Sequence, residues 1–274
     1  MYKLMVSDLD ETLVRADGSI SPENAAAIKA AAAHGVKFVP NTGRGFASVQ
    51  KLLKDIGTYD EAGQFVISYN GGAVIENKDN KVLMTGQMPF EHAKEIFDLL
   101  SPHKEIAIHV YTLNHLYMYN PRQDDLDYVV SRGVQYRTME DTDFSRFADK
   151  HIMKVIFMNP DIDVRHAIAD KVYAQVGDWA DLTYSSGRYA EFNPKGVNKG
   201  TATLKLGEYL GINPDEIIAF GDNSNDLPML RAVGMPVSVA NGIDEVKDVA
   251  KYVTKADYNT GVAEAINKFV LSQY

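Results

Sequence analysis

Cysteine is absent from this 274-residue chain. Its absence excludes disulfides, thiolate nucleophiles and cysteine-held metal centres, and is compatible with any redox compartment. Long apolar runs are missing too: none approaches the roughly 20 residues of a membrane span. Met1-Tyr2-Lys3 does not open a cleavable secretory pattern. A cytoplasmic protein with no membrane partner is expected. Positive charge is in the minority, with 28 Lys and Arg against 37 Asp and Glu. A net charge of −9 and no long basic block argue against a nucleic-acid partner. Tryptophan occurs once, at Trp179, and is read as packing rather than as a ring-stacking platform. No repeat of solenoid period is present, and no obligate protein partner is implied. The length fits one large domain or two modest ones.

What the chain does have is a series of polar clusters at the ends of apolar, strand-like runs. Lys3-Leu4-Met5-Val6-Ser7 runs into Asp8-Leu9-Asp10. Alternation along an extended chain sends both carboxylates to one side, where like charges about 4 Å apart repel by roughly 4 kcal/mol at an effective dielectric of about 20. A cation is therefore expected between them. Alone, Asp-x-Asp is common as turn punctuation or helix capping. A second acidic cluster changes the weighing: Glu216 to Gly221 reads as a buried strand that stops at Asp222-Asn223-Ser224-Asn225-Asp226. Between the two, Val36 to Asn41 is a strand candidate ending in Thr42-Gly43-Arg44, which reads as an anion cradle. Asn198-Lys199-Gly200 opens an amphipathic helix and places the Lys199 ammonium near a helix start, where a lone Lys is usually just solvated.

Strand and helix alternate in the manner of a parallel sheet covered on both faces. Ser21-Pro22-Glu23 starts a helix that runs through Ala25–Ala33 to a stop at Gly35. A helix over 46–55 and a strand over 64–69 continue the pattern, and a hairpin follows Asn70-Gly71-Gly72. From Thr85 to Ser185 the texture changes: a helix from near Pro89, strands over 106–111 and 116–119, a helix over 124–131, an acidic loop, a strand over 152–158, a helix over 161–173 and a strand over 182–185. Arg188 to Phe192 reads as the strand on which the chain re-enters the larger unit. The expected hinges are near Gly86 and at Ser185 to Gly187. His109 and His115 flank a Tyr-rich hairpin and are read as surface or core residues rather than as a ligand pair.

Taken together, Asp8-x-Asp10, Thr42-Gly43-Arg44, Lys199 and Gly221-Asp222-x-x-Asn225-Asp226 resemble, in order and spacing, the four motifs of the haloacid dehalogenase (HAD) superfamily. Asn70-Gly71-Gly72 and Asn259-Thr260-Gly261-Val262 narrow the resemblance to the Cof-type phosphatases, which carry a large α/β (type IIB) cap. The resemblance implies an α/β fold: a Rossmann-like parallel sheet core with helices on both faces, formed by residues 1–84 and 186–274, and an inserted α+β cap at 85–185 that governs substrate specificity. The first motif departs from the family's Asp-x-Asp-Gly-Thr, since Glu11 stands where Gly is usual and a left-handed turn favours Gly.

The function implied is a Mg²⁺-dependent phosphatase acting on small phosphorylated metabolites, sugar phosphates first, through an aspartyl-phosphate. Asp8 is the implied nucleophile and Asp10 the acid and base, with Thr42 and Lys199 completing the catalytic set. Thr42, Gly43, Arg44, Lys199 and Asn225 form the expected phosphate cradle. Asp8, Asp10, Asp222, Asn225 and Asp226 form the expected metal set, Asp10 through its backbone carbonyl. Two alternatives stay open, a phosphotransferase or phosphomutase using the same Asp8 and a non-catalytic ligand sensor on the same fold. A dehalogenase would need neither Asp10 nor the metal.

Overall fold

Leu4–Ser7, four residues buried on every side, form strand β1. The chain then loops to helix α1 (Pro22–Ala33), which begins where the Ser21 side chain accepts from the Asn24 amide and has Pro in its first turn. It stops before Gly35, whose φ of 81° is a conformation that glycine adopts without a Cβ penalty. Strand β2 (Lys37–Pro40), helix α2 (Gln50–Ile56) and strand β3 (Phe65–Ser68) follow. The expected helix over 46–55 begins as a 3₁₀ turn at Phe46–Val49. Strands β4 (Ala73–Glu76) and β5 (Lys81–Thr85) complete a three-stranded sheet with β3. This computed structural model describes residues 1–15 and 17–274.

The chain divides into two units, Met1–Met84 with Asn198–Tyr274, and Thr85–Val197. The second contains α3 (Phe90–Leu100), β6 (Ala107–Thr112), β7 (Leu116–Tyr119), α4 (Gln123–Ser131), β8 (Tyr136–Met139), β9 (Ile152–Met158), α5 (Ile162–Val176), β10 (Ala180–Ser185) and β11 (Tyr189–Pro194). Its six strands run in the order β10-β11-β9-β6-β7-β8, antiparallel except for the β7/β8 pair. One face, bearing Ile108, Val110, Val155, Phe157, Ala190 and Phe192, packs under α3 and α5. Trp179 joins this core and stacks on His92 at 3.9 Å.

Three sequence expectations need correction. Arg188 to Phe192 does not re-enter the first unit: β11 pairs with β10 and β9, and the return falls at Asn198 rather than at 186. Ser185 to Gly187 is not a hinge but the hairpin turn between β10 and β11, with φ of 51° at Ser186 and 62° at Gly187. The acidic stretch read as loop holds β8, a half-exposed edge strand whose alternation is too weak to read. At the other connection Gly86 lies against Val197, where a Cβ would come within 2.8 Å of the valine side chain.

Back in the first unit come α6 (Lys199–Leu210), β12 (Ile217–Gly221), α7 (Leu227–Ala232), β13 (Met235–Ser238), α8 (Asp244–Val249), β14 (Tyr252–Val253) and α9 (Gly261–Phe269). The main sheet is parallel throughout, in the order β14-β13-β12-β1-β2, with Leu4 aligned to Ile217 on one side and Lys37 on the other. Leu4, Val6, Val39, Ile217 and Ala219 pack against Ala202, Leu206, Met229, Leu230 and Val246 from α6, α7 and α8. On the opposite face α1 packs with α9. The result is the α/β core with helices on both faces and a separate α+β insertion. Among the described residues no helix is long and apolar enough to cross a membrane.

Candidate active site

β1 and β12 are neighbours and parallel, so Asp8 and Asp222, each the residue after its strand, emerge side by side at the carboxyl end of the sheet. That end is where open α/β sheets place ligands. Lys199 reaches the same point from the first turn of α6. Its helix start is fixed by Asn198, whose side chain accepts from the Gly200 and Thr201 amides while Thr201 answers the Asn198 amide. The Lys199 ammonium is fully buried and donates to Asp8 and, at 2.7 Å, to Asp226. Asn41, at the end of β2, ties the Lys199 carbonyl down at 3.0 Å.

Carboxylate oxygens of Asp8, Asp222 and Asp226 all lie within 4.8 Å of one another, and all three residues are buried. Asp226 is engaged at both oxygens: one accepts from the Lys199 ammonium and the other from the Asp222 and Asn223 amides at 3.0 and 3.1 Å. Gly221 permits this, because a Cβ there would sit 2.6 Å from the Asp226 Cβ. Asp222 accepts from the Thr12 hydroxyl at 2.5 Å. Burial drives the Asp8 pKa up to about 7 against the pull of Lys199, and drives Asp222 well above the ordinary carboxylate range with the Asp8 and Asp226 charges adding to it. For Lys199 burial works against the charge, but Asp226 and Asp8 outweigh it and raise the pKa. One ammonium thus faces three buried carboxylates, an excess of negative oxygen donors that a hard divalent cation fits.

Asp8 and Asp10 are each met by a basic side chain, Asp8 by Lys199 and Asp10 by Arg44. Asp10 is gripped by Arg44, whose Nε donates to one oxygen at 2.7 Å while a terminal nitrogen meets the other. The Arg44 side chain, expected in the phosphate cradle, is therefore turned to Asp10. Thr42 is buried, and its hydroxyl accepts from the Arg44 amide at 3.1 Å, shaping the turn that contains Gly43. Asn225 donates to Asn70 at 3.4 Å. Glu11 has φ of 63°, the left-handed conformation for which the family's Gly is suited, and its carbonyl accepts from Asn241 at 2.7 Å. Tyr69, Asn70 and Gly71 are left-handed in succession, at 57°, 55° and 97°, and a Cβ on Gly71 would lie 2.3 Å from the Asn198 carbonyl oxygen.

Sequence reasoning brought Asp8, Asp222, Asp226 and Lys199 together and missed three supports. Thr12, two residues beyond Asp10, was signalled by its place in the first motif. Asn70 was marked only as part of a motif. For Asn41, a polar residue ending an apolar run beside Thr42 was the available sign.

The profile of the haloacid dehalogenase-like hydrolases matches residues 5–266. Bacillus subtilis YxeH, provisionally named a phosphatase, is 31% identical over 277 residues, covering 100% of both chains. The B. subtilis 5-amino-6-(5-phospho-D-ribitylamino)uracil phosphatase YcsE is 28% identical, over 98% of this chain and 96% of its own. The HAD subclass IIB sugar phosphatase BT4131 superposes with a TM-score of 0.84 at 22% identity, covering 97% of this chain and 98% of that one. The chain belongs to the haloacid dehalogenase-like hydrolases, and within them to the phosphatases.

Proposed function

We propose that the chain is a Mg²⁺-dependent phosphatase of small phosphorylated metabolites, sugar phosphates first, working through an aspartyl-phosphate on Asp8. The observation that carries this reading is the buried cluster of Asp8, Asp222, Asp226 and Lys199 at the carboxyl end of the parallel sheet. Phosphomonoester hydrolysis needs rate accelerations of up to about 10²¹-fold, supplied chiefly by charge neutralisation and in-line positioning. Lys199 holds one Asp8 oxygen, leaving the other to attack phosphorus. As the new oxygen–phosphorus bond forms, the ester oxygen departs and takes a proton from Asp10. Asp10 then removes a proton from water as that water attacks the phospho-enzyme, releasing phosphate and restoring the Asp8 carboxylate.

Arg44 orients Asp10 for both proton transfers. The Thr42 hydroxyl, the Gly43 amide, Lys199 and Asn225 hold the phosphoryl oxygens. Mg²⁺, held by Asp8, Asp222 and the Asp10 carbonyl, would offset the repulsion between carboxylate and phosphate dianion. Asp226, with both oxygens already occupied, steadies Lys199 and the Asp222 loop. The second unit, 85–197, is the proposed selector of the leaving group, and the cytoplasm the proposed setting. A relative named for a phosphorylated ribityl compound supports the substrate class.

Asp8→Asn tests the reading: turnover of any phosphate ester should vanish, and near-normal activity in the purified variant would refute the nucleophile. Chelation should abolish activity and Mg²⁺ restore it, with Ca²⁺ inhibiting because its coordination is longer and looser.

A further inference from the structure

The four residues that turn β3 into β4, Tyr69 to Gly72, have no part in the mechanism above, yet three of them in a row are left-handed, with φ of 57° at Tyr69, 55° at Asn70 and 97° at Gly71. A hairpin does not require this. Four-residue loops are most often built around type I turns, whose central residues have negative φ, and an aromatic residue at positive φ is an outlier. Such backbone persists only where its surroundings hold it, and it clusters at functional sites.

The amides of this turn show what the conformation achieves. Successive N–H groups in turns of this kind form a concavity for negatively polarised oxygen. Here they take two carbonyls of the loop after β2: Tyr69 donates to Arg44 at 3.1 Å and Asn70 to Thr42 at 3.0 Å. Both donor residues are buried, so water does not compete for these bonds. The Thr42 carbonyl belongs to the same peptide unit as the Gly43 N–H, and a planar trans peptide points the two in opposite directions. Holding the one therefore aims the other. Gly43 has no side chain to restrict its backbone, so the direction of its amide must be fixed from outside. At its far end the turn is closely set against the residue before Lys199, where a Cβ on Gly71 would meet the Asn198 carbonyl.

We propose that Asn70 is a positioning residue: its left-handed conformation presents the backbone amide that holds the Thr42–Gly43 peptide and so aims the Gly43 N–H at the transferring phosphoryl group. The proposal deepens the phosphatase reading and rests on it for the reaction. The Asn70 side chain acts through the conformation it permits, since Asn is among the few residues besides Gly that adopt positive φ readily.

A series at position 70 separates conformation from side-chain bonding. Asn70→Gly deletes the side chain and its contact with Asn225 but keeps the amide and the left-handed region. Asn70→Ala keeps the amide against a Cβ penalty, and Asn70→Val adds a β-branch that resists the region more strongly. In steady-state kinetics of the full-length enzyme on p-nitrophenyl phosphate, kcat should fall least in Asn70→Gly, about tenfold in Asn70→Ala and about 10²-fold or more in Asn70→Val, the size of one lost oxyanion donor. KM should change by less than about threefold, because the donor acts chiefly in the transition state. Asn70→Ala, the milder change, decides the matter if Asn70→Val does not fold. Asn70→Gly as slow as Asn70→Ala assigns the role to the side chain and overturns the proposal, as does a wild-type kcat in Asn70→Ala.

Calorimetric titration with orthovanadate, which adopts the five-coordinate geometry of a phosphoryl group in transfer, separates the two readings. Affinity that drops about tenfold in Asn70→Ala and less in Asn70→Gly, without ester turnover by the wild type, upholds the positioning and defeats the phosphatase. Turnover by the wild type with equal kcat and equal orthovanadate affinity across the series does the reverse, and a wild type that neither turns over esters nor binds orthovanadate defeats both.

Discussion

Among the described residues Lys199 is the cation that meets the three buried carboxylates, and replacing it with Met isolates its electrostatic role, because the side chains are similar in length. Removing one partner of a buried ion pair costs about 3–5 kcal/mol, since the remaining charge is left without compensation. For a domain of this size each kcal/mol moves the thermal midpoint by about 2–4 °C, so a fall of about 6–20 °C is expected. The measurement is thermal unfolding followed by circular dichroism in chelator, where no metal masks the loss. Asp226→Asn supplies the second arm of a cycle. Lys199 holds both Asp8 and Asp226, so when it is absent, neutralising Asp226 relieves repulsion. The double variant should therefore be less destabilised than the sum of the singles, by about 0.5–3 kcal/mol. A Lys199→Met midpoint within about 2 °C of wild type, or strictly additive costs, would refute the view that this lysine is the cluster's countercharge.

Two further outcomes are expected. Glu11→Gly keeps the carbonyl that Asn241 uses and removes a left-handed Cβ, so it should stabilise by about 1 kcal/mol; a lower urea midpoint would contradict the strain argument. Asp125 is buried, and although burial pushes its carboxyl up, the hydrogen bond and charge of His109 and the bond from Tyr189 hold it below the usual range. Its contribution is therefore present above the unfolded value of about 4 and lost as pH falls through the lower folded value. Urea midpoints measured from about pH 5 down to about pH 2.5 should fall less steeply in Asp125→Asn than in wild type, and equal slopes would dismiss the assignment.

The readable parts of this chain were those encoded locally. Leu4–Ser7 and Ile217–Gly221 are uninterrupted apolar strands, so their ends, and with them Asp8 and Asp222, were legible from the order of residues alone. The Ser21 cap and the Gly35 stop marked α1 in the same way. Pairing between distant segments was not readable. β11 has the alternation of a strand, but nothing in its residues says whether it joins β9 and β10 or the parallel sheet. Arg44 finding Asp10, and Thr12 finding Asp222 across 210 positions, are consequences of topology that no local pattern announces. Glu11 was legible as a conflict, since a family position suited to Gly held a residue with a Cβ, and the conflict reappears as a positive φ.

The interrupted layout of the first unit also orders its synthesis. β1 lies between β2 and β12, so the amino-terminal strand has one neighbour available early and must wait for residues 217–221 to meet the other. At about 5–20 residues per second, a ribosome needs on the order of ten seconds or more to cover that interval. Meanwhile the second unit, unbroken from Thr85 to Val197, emerges with every partner of its sheet already made. The acid cluster can therefore close only once residues 199–226 have been made: a nascent polypeptide that has exposed Asp8 still has no Lys199, Asp222 or Asp226 to meet it.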